Sequence, residues 1–97
     1  MTVRPGMTDY SLVPVLAMTA AIEGYVERGE QVGGFLRALL SHDMIGTVCG
    51  ADADNYAHLR QWVQFVHNEL PPRSHGNAAY VRAWQSTGGL SNAGLHQ

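Results

Sequence analysis

A chain of 97 residues supplies one domain, with a core that buries roughly 60–65% of the unfolded surface. At 45% hydrophobic and 14% charged it is too apolar for a disordered segment, and so little charge leaves apolar surface to be covered by another subunit or a partner. The net charge is −2 and all six basic residues are scattered arginines, which excludes a scaffold reading nucleic-acid phosphates but leaves room for one or two arginines on a small phosphate ligand.

Residues 1–10 read as a flexible leader punctuated by Pro5-Gly6, residues 11–89 as one helical domain, and residues 90–97 as a frayed tail. Ser11 is placed to cap a first helix, with Pro14 in its first turn and Val15, Met18, Ile22, Tyr25 and Val26 at three- and four-residue spacing. Gly29 is its stop. A second helix opens at Gly34 and runs to Gly50 with a broad stripe of Phe35, Leu36, Leu39, Leu40, Met44, Ile45 and Val48, which predicts the most buried helix of the set. Gly46 lies inside it, through close packing or a kink. Asp52 or Asp54 caps a third helix carrying Tyr56, Leu59, Trp62, Val63, Val66 and Leu70, stopped by Pro71-Pro72. After the loop PPRSHG, Asn77 caps a short fourth helix with Tyr80, Val81 and Trp84, closed by Gly88-Gly89. No alternating strand pattern competes. The expectation is an all-α, four-helix domain with short loops that assembles as an oligomer.

Few residues carry chemistry. The five histidines show no HxxxH or HExxH spacing, and Cys49 has no nearby partner, so no metal or cofactor is expected. His42-Asp43 is the one adjacent pair of note, while His58 and His67, nine apart on one helix, point to opposite sides. Cys49 lies near a helix end, where the dipole does not activate it, and reads as a buried structural cysteine. No serine sits in a GxSxG elbow, and Asp52 and Asp54 read as caps rather than an acid/base pair. Tyr56, Trp62, Phe65, Tyr80 and Trp84 fit core positions, but Trp62, Val63 and Phe65 widen the apolar face beyond one stripe, a surplus suited to an interface. Arg73 and His75 either complete a pocket or keep their loop soluble.

The glycine pair before the second helix is the sharpest candidate. Gly33-Gly34 is either a hinge, or a backbone site in which the N–H groups of Gly33, Gly34 and Phe35 hold a phosphate or carboxylate, Arg37 adds a bidentate fork, and Tyr56 or Trp62 stacks on the ligand. No strand pattern precedes the pair, so neither a dinucleotide fingerprint nor a P-loop is matched.

GGFLRALLSHDM, then ADADNYAHLRQWVQFVHNELP, then HGNAAYVRAW resembles a family of small proteins encoded by tailed phages and prophages. The resemblance spans Gly33 to Trp84 and implies an accessory gene product rather than a virion enzyme. Small accessory proteins of this kind inhibit host machinery, and some are oligomeric helical sponges for the nucleotide signals of host immunity. Two functions follow as expectations. One is a non-enzymatic, homo-oligomeric binding protein that sequesters a small anionic, nucleotide-like ligand. The other is an inhibitor that binds a host protein complex. Neither involves DNA, RNA or a membrane. The leader MTVRPGMTDYS lacks an apolar core segment, so the host cytoplasm is the expected location.

Overall fold

The computed structural model describes residues 8–91, and among them every regular element is helical. The α-helices follow in order: α1 Thr19–Arg28, α2 Gly34–Leu40, α3 Met44–Gly50, α4 Ala53–Ala57, α5 Leu59–Glu69 and α6 Ala78–Thr87, and residues 89–91 are helical again. Short 3-10 turns lie at Tyr10–Leu12, Leu16–Met18 and Pro72–Ser74. The all-α expectation holds, but three of the four anticipated helices are shorter or broken, each for a local reason.

The first helix begins at Thr19 rather than near Ser11. Asp9, not Ser11, caps the opening turn by accepting from the Ser11 N–H, and Val13 is extended (ψ 123°) because the following Pro14 crowds the helical conformation. The anticipated leader is also tied down in part. The Thr8 hydroxyl donates to the Glu69 carbonyl (3.0 Å), and the Tyr10 hydroxyl to the Glu27 carboxylate (2.7 Å). Residues 1–7 lie outside the described residues, as do 92–97 of the anticipated tail, while Leu90 packs against the core.

The second helix breaks at 41–43. His42 takes a left-handed conformation (φ 58°), and Asp43 starts a new helix by accepting from the Gly46 N–H at 3.0 Å. Gly46 therefore does not kink a helix. A side chain there would collide with the capping carboxylate. The third helix is capped by Asp52, which accepts from Asn55 N–H at 2.9 Å, and is interrupted at His58. The imidazole Nδ1–H of His58 donates to the Asp54 carbonyl (2.8 Å), the acceptor its own backbone N–H would use in a continuous helix. That N–H turns instead to Asn55 O. The fourth helix follows its signals, with Asn77 accepting from Tyr80 N–H and Gly88 left-handed at the end.

The core gathers Ile22, Tyr25 and Val26 of α1, Phe35, Leu36, Leu39 and Leu40 of α2, Trp62, Phe65 and Val66 of α5, and Val81 and Trp84 of α6. The polar tips of its aromatic residues are satisfied. Trp62 Nε1–H donates to Asn55 Oδ1 (2.9 Å), Tyr25 Oη–H to the Ser74 carbonyl (2.6 Å), and Trp84 Nε1–H to the Tyr25 carbonyl (2.9 Å). The ends of α1 and α6 meet at two left-handed glycines, Gly29 (φ 70°) and Gly89 (φ 71°), where a Cβ on Gly89 would stand 2.6 Å from the Gly29 nitrogen. No described helix is long and apolar enough to cross a membrane.

Candidate functional site: a histidine-rimmed apolar cleft

The break at His42–Asp43 decides where the apolar stripe of the anticipated second helix goes. Residues before it enter the core, whereas α3 packs principally on α2 and has little contact with α5. Thr47 is the one buried residue of α3, and its hydroxyl is already used as a donor to the Asp43 carbonyl (2.6 Å). Met44, Ile45 and Val48 are exposed, at 76%, 72% and 44%, against the expectation of the most buried helix. Cys49, expected to be buried, is exposed on the same helix. On the facing helix Val63 is 56% exposed, so the surplus of apolar residues on α5 falls to Val63, while Trp62 and Phe65 are interior.

Between these faces lies a cleft of about 340 Å³. Leu39 of α2 and Val66 of α5 floor it, Met44 and Val48 form one wall, and Leu59 and Val63 the other. Its polar groups are Thr47 and three histidines: His42 from the α2–α3 turn, His67 from α5 and His75 from the loop before α6. That loop is held by the Gly76 N–H, which donates to the Leu40 carbonyl (2.9 Å). His42 Nε2 and His75 Nδ1 are 2.9 Å apart, with ring centroids at 5.1 Å and planes 29° apart, an edge-to-edge hydrogen bond rather than face-to-face stacking. One ring donates and the other accepts, so the bond does not survive protonation of both. Burial, followed by repulsion from His42 and His67, pushes the His75 pKa below the usual histidine range.

The residues proposed from sequence are placed differently. Phe35 and Trp62 are in ring contact (centroids 5.8 Å, 71° between planes), but both are interior. Trp62 has no exposed face and cannot stack on a ligand, because its position on α5 puts it at the centre of the core. Gly33 caps α2 with φ −71°, Gly34 is its first residue, and both are exposed, as are Arg37 and Tyr56. Neither glycine has a positive φ, and a Cβ at either would meet nothing within 4 Å, so the hinge reading is not demanded by the backbone. Among the described residues no group of three or more His, Cys, Asp or Glu is arranged to hold a metal ion. His75 is a pocket candidate in the sequence, but its convergence with His42 and His67 joins three elements and has no spacing signature.

No family model, no curated protein and no solved structure matches this chain.

Proposed function

We propose that this chain is a non-enzymatic binding protein that sequesters a small ligand in the cleft between α3 and α5. The observation that carries this reading is one apolar space of about 340 Å³ with three imidazoles converging on it. Small-molecule sites are concave and mostly apolar, with a few polar groups that fix orientation, and a titratable group with a shifted pKa strengthens the assignment. In the setting implied by the phage-family resemblance, the ligand belongs to the host cell and the protein acts as an anti-defence accessory factor, working as a homo-oligomer.

Native mass spectrometry of the protein purified from expressing cells tests this. A retained small mass that is lost in Val63→Asp supports sequestration; Val63 is exposed, so the fold tolerates the change. A stoichiometric protein retained instead, and lost in Ile45→Asp, moves the function to a protein-binding inhibitor. Ile45 is exposed but lies outside the cleft, so its substitution separates the two outcomes.

A nucleotide-like anion at the backbone of Gly33, Gly34 and Phe35, with Arg37 one turn on and Tyr56 as an exposed ring for stacking, is the second reading. The observation favouring it is that both glycines stand open where the fold asks for no glycine, which suits a close approach by something outside the chain. Binding of nucleotide signals by Arg37→Ala as tightly as by the parent would remove it.

A further inference from the structure

We propose that the occupant of the cleft is a small apolar monoanion, its hydrocarbon body between α3 and α5 and its anionic head at the histidine rim; this rests on the cleft being the binding site.

The walls determine the body. Met44, Val48, Leu59 and Val63 offer hydrocarbon and a thioether, and the volume of about 340 Å³ is near the lower end for sites that enclose a drug-sized molecule. The rim determines the head. Every ionisable side chain lining the cleft is an imidazole. Neighbouring charged side chains are absent from the lining: Asp43 accepts from the Gly46 N–H, Glu69 accepts from the Asp9 N–H (3.3 Å), and Arg73 is exposed. Three groups able to carry positive charge thus converge without a counter-ion. Apart from the bond between His42 Nε2 and His75 Nδ1, their ring nitrogens have no partner among the described residues.

An anion at the rim supplies the missing opposite charge and accepts from the free ring N–H groups. Its charge offsets the burial and the repulsion from His42 and His67 that disfavour protonation of His75. Binding therefore takes up a proton, and affinity rises as pH falls through the histidine range. A neutral ligand of the same shape gains the apolar burial alone.

Octanoate and 1-octanol are matched probes, differing in the charge of the head. Calorimetric titration at about pH 5.5 and about pH 8 brackets the imidazole transition. Methyl NMR of Val48 and Val63 reports whether the probe is in the cleft. The expected result is that octanoate shifts both methyl signals and binds roughly tenfold tighter at the lower pH, while 1-octanol binds without pH dependence. In the triple variant His42→Gln, His67→Gln, His75→Gln the octanoate affinity no longer changes between the two pH values. Equal affinities of the parent for both probes at both pH values overturn the anion assignment and leave the apolar cleft standing. Binding of neither, or binding that leaves the Val48 and Val63 methyls unmoved, overturns the cleft as a site and the anion with it.

Discussion

The indole of Trp62 is completely enclosed, and its Nε1–H reaches Asn55 Oδ1 at 2.9 Å. An enclosed donor without a partner costs about 1–3 kcal/mol, so Asn55→Ala should lower stability by about that amount. The check is a urea titration in which the midpoint falls while the slope is unchanged. Sequence periodicity placed Trp62 on the apolar face of its helix but said nothing of depth, which is why a stacking role was conceivable until the fold closed over it. Histidine shows the complementary limit. His42 and His75 are 33 positions apart, and no spacing rule links two side chains that meet through a turn and a loop. The caps Asp52 and Asn77 were legible because capping is a contact made within three residues.

Among the elements, α6 and the end of α1 follow their start and stop residues, since cap, apolar period and left-handed glycine all agree there. The anticipated second helix fails because Asp43 competes with its continuation. An aspartate that can cap offers the backbone an alternative to the helical hydrogen bond, and the apolar period continues across the break without registering it. Asp43→Ala removes the cap and should cost about 1 kcal/mol, whereas Asp43→Asn, which retains an accepting oxygen, should cost little. Thermal unfolding of the two variants gives the comparison, with a clear loss in melting temperature expected for the alanine alone. The cleft was illegible for the same reason: its α3 wall consists of residues that a continuous helix would have buried.

For the whole molecule, the depressed pKa of His75 makes stability depend on pH. Its unfolded value is near the ordinary imidazole value of 6.5 and its folded value lies below that. Above 6.5 the ring is neutral in both states and its contribution is fully present. As pH falls below that value the unfolded chain binds the proton first, so stability declines until the folded pKa is passed. Denaturant midpoints measured across this range should fall on acidification, and His75→Gln should flatten that part of the profile. An anion in the cleft should oppose the decline. The stability of the molecule is also unevenly distributed in space. Because α3 has a single buried residue and leans mainly on α2, its local opening should expose less apolar surface than opening of α5. Its amide hydrogens should therefore trade with deuterium well before those of α5, through brief local openings that leave the rest of the chain folded. A ligand lodged against Val48 has to be released, or its contacts broken, before α3 can open, so occupancy should appear as slowed deuteration confined to this one short helix.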